Sequence, residues 1–203
     1  MLVTMSDSPA SASARGPAVR RTAVAVDEAE LLARAVAGDS AAFDRLVTIH
    51  QERLAKLVQR LLGWRSDVED VVQDVFVDSL KHLRRFDGRS SVLTWLTRIA
   101  INRCRSHQRR AWLSTFLPLP LGEGGGEEPA VDRLVADETV QQVQNAIRQL
   151  NQRDREVIVL RYLEELPIEE IAQLLKLSRG AVDVRLARAR KRLEAILKPI
   201  VDT

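Results

Sequence analysis

The chain has 203 residues, enough for two small domains or one ordinary one, and its 45% hydrophobic share carries only 4% aromatics. That balance suits helical modules with Leu, Val, Ile and Ala interiors and excludes sheets built on aromatic and β-branched residues. A net charge of +3 hides strong segregation, with two basic blocks separated by acidic ones, which points to two polyanion contacts and at least one cationic protein partner.

Residues 1–26 are rich in Ser, Ala, Pro and Arg without periodicity and read as a disordered tail, within which Met5 is an alternative start. Asp7 and the lack of a continuous apolar core argue against a secretory signal, so a cytoplasmic protein is expected. From Asp27 the pattern is helical. Leu31, Leu32 and Val36 line a short first helix that stops at Gly38, and Asp39 or Ser40 caps the next. There Phe43, Leu46, Val47, His50, Leu54, Leu57, Val58 and Leu61 recur at helical spacing, ending at Gly63. Ser66 is the expected cap of a third helix with Val68, Val71, Val72, Val75, Ser79, Leu80 and Leu83 inward, broken at Gly88. Ser90 or Ser91 opens a fourth, with Val92, Trp95, Leu96, Ile99 and Ala100 inward, running into five arginines with no acid (Arg98, Arg103, Arg105, Arg109, Arg110). Cys104 is the only cysteine and His107 stands one turn on. One thiol excludes an intrachain disulfide, and two potential ligands do not close a metal site.

Residues 113–138 change character: prolines, glycines and acids make a flexible linker. Helices resume with Val140, Val143, Ile147 and Leu150, then Val157, Ile158, Leu160 and Leu163, then a pair over Pro167 to Leu175 and Ser178 to Leu197. No strand candidate survives, and no run reaches the roughly 18 apolar residues of a membrane span. The expected fold is all-α: two small helical domains, 27–112 and 139–198, joined by a flexible linker.

Three segments carry chemistry. Asp67, Asp70, Asp74 and Asp78 lie along one stripe of the third helix, readable as a solvated face, a carboxylate metal site or a dock for a basic protein surface. The metal reading lacks a nucleophile or base nearby. The fourth helix mixes Trp95 with Arg98, Asn102, Arg103 and Arg105, a mixture that suits unpaired bases stacked on rings and held by arginines, although Trp95 equally fits a core. The last pair reads as a helix-turn-helix. Pro167 suits the first turn, Lys176-Leu177-Ser178 is a short turn, and Ser178 can cap. Val182, Leu186, Ala189 and Leu193 share one arc, while Gly180, Val184, Ala187, Arg188 and Lys191 face away. Small residues there let the backbone approach a groove, and the cations meet phosphates and base edges.

The segments DVEDVVQDVFVDSL, FDGRSSVLTWLTRIAINRCRSHQRR and LNQRDREVIVLRYLEELPIEEIAQLLKLSRGAVDVRLARARKRL resemble the sigma-70 family of bacterial RNA polymerase sigma factors, and the two-domain layout resembles its extracytoplasmic-function group. The resemblance covers roughly residues 27–112, as a region 2-like helical bundle, and 138–197, as a region 4-like helix-turn-helix. It implies that Asp70, Gln73 and Asp74 dock on the β′ clamp coiled coil of core polymerase, with the β flap as a further contact. Phe86, Arg89, Ser90 and Ser91 of the loop, with Trp95, Arg98, Asn102, Arg103 and Arg105 of the helix, would bind and help open the −10 element. Ser178, Arg179, Gly180, Asp183, Val184, Arg185, Arg188 and Lys191 would serve the −35 element. An anti-sigma factor is a further partner the family admits; no catalytic residue, metal, cofactor or membrane insertion is expected. Two departures stand out. Trp95-Leu96 occupies the place of the Trp-Trp pair of primary factors, and Asp183-Val184 that of a common Lys-Ser. Asp183 is open to two readings: an acceptor for cytosine N4, or a partner of Arg179 one turn away. Two alternatives stand beside it: a stand-alone regulator using only the helix-turn-helix, which needs neither the acidic stripe nor the arginine helix, and a carboxylate-dependent nuclease, for which the sequence lacks a metal-plus-base cluster.

Overall fold

The computed structural model describes residues 28–64, 67–116 and 138–201, all-helical apart from short turns and with no strand among them. The tail at 1–26, Ser66 and most of the linker at 113–138 lie outside the described residues. One compact unit ends at Leu46 and a second begins at Val47.

In the first unit, α1 (28–36) buries Leu31 and Ala35 and stops at Gly38, whose φ of +100° is a conformation glycine adopts without steric cost. Asp39 then caps α2 (Ser40–Leu62): its Oδ1 accepts from the Ala42 amide at 3.2 Å, while Oδ2 takes the Arg34 guanidinium at 2.7 Å.

The second unit holds the rest. Leu54, Leu57, Val58, Leu61 and Leu62 of α2 are buried, each worth about 1.5–3 kcal/mol against exposure. α3 (Val68–His82) packs along α4 (Val92–Phe116). The residue at the N-cap position of α3 is Asp67, which makes no side-chain capping bond. Val71, Val75, Ser79 and Leu83 point inward as the spacing predicts, but Leu80 is 55% exposed. A 3₁₀ turn, Leu83–Arg85, ends α3 three residues before Gly88. Ser91 opens α4, its Oγ accepting from the Thr94 amide at 3.0 Å. α4 runs on to Phe116, past the expected boundary at 112.

After the linker come α5 (Glu138–Gln149) and α6 (Gln152–Ile158), the latter widening into a π-turn at Val159–Leu163. α7 (Ile168–Leu175) and α8 (Arg179–Val201) follow, and α5, α6 and α7 all pack on α8. Pro167 stands at the N-cap of α7 in extended backbone, one residue ahead of the first turn.

Inside this unit the helices on either side of the linker also pack on each other, α4 against α7 among them. The Arg60 guanidinium donates to Leu163 O at 3.2 Å and Glu164 Oε1 at 2.7 Å, and Arg155 donates to Leu61 O at 3.3 Å. A β-carbon at Gly63 would stand 2.8 Å from the Arg155 guanidinium, the movable end of a long side chain, so it is the φ of +75° that calls for glycine there.

Candidate nucleic-acid and polymerase interfaces

At about 100° per residue, Trp95, Arg98 and Asn102 share the outward face of α4, with Arg103 and Arg105 on its two edges. Leu96, Ala100, Ile101 and Cys104 fill the opposite side. Phe86, in extended backbone after the 3₁₀ turn, lays its ring against Trp95 with centroids 5.1 Å apart and planes tilted by 52°. Trp95 is therefore half-buried and still open on one side. A cleft lies beside it, lined by Asp78, His82, Arg85, Arg98 and Asn102, with Lys176 reaching in from the α7–α8 turn. This wall is cationic and carries an aromatic floor. The preceding loop is pinned locally: Arg89 donates its amide to Asp87 Oδ1 at 3.1 Å, and Ser91 bonds Thr94 at 2.9 Å.

The two edge arginines are engaged. Arg103 pairs with Asp78 and lies 3.6 Å from Asp74 Oδ2, clamping α4 to α3; the Asp78 hydrogen bond raises its pKa. Arg105 forks onto Glu156 of α6 at 2.8 and 2.6 Å, and this bond likewise raises its pKa. The Glu156 side chain is 3% exposed, so the pair is largely desolvated on the acid's side.

The acidic stripe turns out to be divided. Asp67 lies 3.6 Å from His107 Nε2, while Asp74 and Asp78 meet Arg103, so three of the four aspartates border α4. Asp70 and Gln73 are exposed to solvent, and Asp74 is half-exposed. Among the described residues no cluster of His, Cys, Asp and Glu could hold a metal ion.

In the helix-turn-helix, α7 buries Ile171, Ala172, Leu174 and Leu175. Lys176 adopts left-handed backbone at φ 56°, and the Leu177 amide bonds back to Ala172 O at 2.9 Å, which closes the helix end. Ser178 caps α8, its Oγ accepting from Ala181 at 3.2 Å. Val182, Leu186 and Ala189 are buried; Gly180, Asp183, Val184, Ala187, Arg188 and Lys191 are exposed, and Arg185 is half-buried. Arg179 pairs with Glu169 at 2.7 Å rather than with Asp183. Arg188 reaches Asp154 Oδ1 at 3.1 Å, and Arg192 takes the other oxygen. Asp154 is fully buried, and it also exchanges hydrogen bonds with Asn151, which caps α6.

The structure thus gathers Phe86, Trp95, Arg98 and Asn102 in one place and the groove-facing arc of α8 in another. It ties Arg103, Arg105, Arg179 and Arg188 to carboxylates. Sequence reasoning missed His82, Arg85 and Lys176 at the cleft, and Asp154 and Glu156 as counter-charges. The basic pair Arg84-Arg85 after α3 was a usable signal; Lys176 comes from across the linker and gave none.

Comparison with known proteins matches residues 46–114 to Sigma-70 region 2 and residues 140–193 to Sigma-70 region 4. The ECF RNA polymerase sigma factor SigM of Mycobacterium tuberculosis is 34% identical over 170 residues, 84% of each chain. The solved structure of CnrH in complex with the cytosolic domain of CnrY superposes at a TM-score of 0.61 with 32% identity, covering 85% of this chain and 98% of that one. The sigma factor RpoE of Bartonella quintana, solved with the anti-sigma factor NepR, gives 0.61 with 25% identity over 77% of this chain and 96% of that one. Two matched regions in the family's order, and relatives spanning most of both chains, make this chain a member of the sigma-70 family, in its extracytoplasmic-function group: a non-enzymatic factor that directs RNA polymerase to promoters.

Proposed function

We propose that the work divides between the helices before and after the linker. Residues 27–112 dock core polymerase through Asp70, Gln73 and Asp74 and hold the opened −10 element. Residues 139–198 set α8 in the major groove of the −35 element. The observation that carries the −10 assignment is the open Trp95 ring, backed by Phe86 and flanked by Arg98 and Asn102 over a cationic cleft. An unstacked base finds a ring to lie on and cations for its phosphates, as single-stranded DNA requires. Arg105 and Arg103 join this set once their carboxylates release them. The cytoplasm is the proposed place of work. An anti-sigma partner belongs to the same proposal, supported by the RpoE relative solved with NepR.

Run-off transcription with core polymerase, with and without the chain, tests the activity. For the dock, Asp70→Arg is the sharpest variant, since Asp70 is exposed. Asp74→Arg would also push on Arg103, 3.6 Å from Asp74. Asp70→Arg is expected to abolish capture of core in a pull-down with the helical content unchanged; full capture would overturn the dock.

A further inference from the structure

Two neighbouring residues on α8 have no role in the folded chain that the structure accounts for. Val184 is 70% exposed, whereas Val182 of the same helix is fully buried. Asp183 is exposed and its side chain makes no ion pair or hydrogen bond among the described residues. The obvious internal duties are filled elsewhere. Ser178 caps the helix, and Arg179, one turn before Asp183, is drawn off by Glu169 at 2.7 Å. Asp183 is the fifth residue of α8, beyond the first turn where an acid gains from the helix dipole. Valine on a solvated helix face gives up helix propensity without recovering it through burial. An acid on a face that meets DNA repels phosphate. Val184 is thus a cost in the free protein, and Asp183 a cost on a face that meets DNA.

Their surroundings say where that cost is recovered. Gly180 has nothing within 4 Å of where a β-carbon would stand, and Ala187 is exposed, so the backbone between them is free to come close to a partner surface. Arg188 is turned toward Asp154, which leaves Val184 flanked by small residues rather than by long cations.

We infer that Asp183 and Val184 fix the base sequence read by this helix, Asp183 accepting the N4 amino proton of a cytosine and Val184 covering the C5 methyl of a thymine in a neighbouring base pair. The assignment rests on the reading that α8 enters the major groove. The groove edges make it selective. Guanine and thymine offer a carboxylate only acceptors, and adenine sets N7 beside its amino group, whereas cytosine presents a donor alone. Of the four bases only thymine carries a methyl group there.

The experiment assembles holoenzyme from core polymerase and the full chain. It selects from duplexes randomised upstream of a pre-opened bubble, so that capture does not depend on the −10 sequence. The wild type is expected to enrich cytosine beside thymine. Asp183→Asn is expected to move the cytosine position to adenine, which asparagine pairs with through N6 and N7. Replacing the selected thymine by deoxyuracil is expected to weaken wild-type binding about fourfold, the worth of one methyl, and to leave Val184→Ser unaffected. Both side chains are exposed, so the variants keep the fold. Base selection indifferent to Asp183→Asn, or equal wild-type binding to thymine and deoxyuracil, overturns the assignment alone. No upstream base selection at all overturns the groove reading and the assignment with it.

Discussion

The arginines of α4 and of α8 look alike in the sequence and are held in opposite ways. On α4 two of the engaged arginines diverge: Arg103 reaches back to α3, and Arg105 reaches across to Glu156 on α6, beyond the linker. On α8 two of the engaged arginines converge: Arg188 and Arg192 meet on the single buried carboxylate of Asp154. The first arrangement couples helices from the two sides of the linker, while the second fixes α8 on its own supporting helix. A basic block therefore overstates the charge that DNA meets at once. What it offers depends on whether each counter-charge stays when DNA arrives. Asp154 sits on the same side of the linker as its arginines and stays with them; Glu156 stays with Arg105 only while the two sides remain together.

Removing Asp154 is the strongest way to break the convergent arrangement. Asp154→Ala strips two arginines of their acid and Asn151 of its reciprocal partner. Because both arginines are about half-exposed and can rehydrate, the loss is expected near 2–3 kcal/mol rather than at the top of the range for buried pairs. Urea unfolding checks this, and a loss below about 1 kcal/mol would mean that Asp154 does not hold α8. Glu156→Gln acts on the divergent arrangement and is expected to cost less, about 1–2 kcal/mol, because Arg105 is partly exposed and keeps an amide partner. Its distinguishing mark is faster proteolysis of a protein whose α8 remains protected; unchanged proteolysis would show that Arg105 does not couple the two sides. The smallest effect on stability belongs to Arg98→Ala. Arg98 is exposed without an ion pair among the described residues, so unfolding should shift by less than about 0.5 kcal/mol. If Arg98 makes one phosphate contact, holoenzyme binding to opened promoter DNA should lose about one unit of salt dependence, and an unchanged slope would remove it from the −10 set.

The helices were legible because their signals are local. Apolar spacing placed Leu54, Leu57, Val58 and Leu61 in the core, and Ser178 caps where a cap was expected. Gly38 and Gly63 stop helices at positive φ, as their positions suggested. Of the alternative caps, Asp39 and Ser91 are used, because their oxygens reach the amide three residues on. Leu80 was misplaced because spacing alone cannot tell the centre of an apolar arc from its edge. The acidic stripe was read as a face of its own, yet three of its aspartates border α4, a pairing that no spacing within α3 encodes. The candidate site was legible in its residue types and not in its counter-charges. Arg105 and Glu156 are 51 residues apart, and Arg188 and Asp154 are 34 apart. Such pairs are set by tertiary packing. The packing of helices across the linker was equally invisible, since the linker's composition speaks only for the linker.

Cys104 turns this seam into something that can be timed. The thiol is 2% exposed, and its pKa is pushed up from 9.0 to about 12 by burial, with the Glu156 carboxylate adding to it. An unfolded chain sheds that proton near the ordinary value while the folded one keeps it. This group's share of stability is therefore complete below pH 9 and drains away as the pH climbs toward 12. At neutral pH the folded thiol is both shielded and protonated, so an alkylating reagent modifies it only during openings. The labelling rate then counts how often the packing over this face of α4 opens, from a single native atom and without any added probe. A rise in that rate when core polymerase is added would mark the moment at which the factor trades its internal contacts for those of the enzyme.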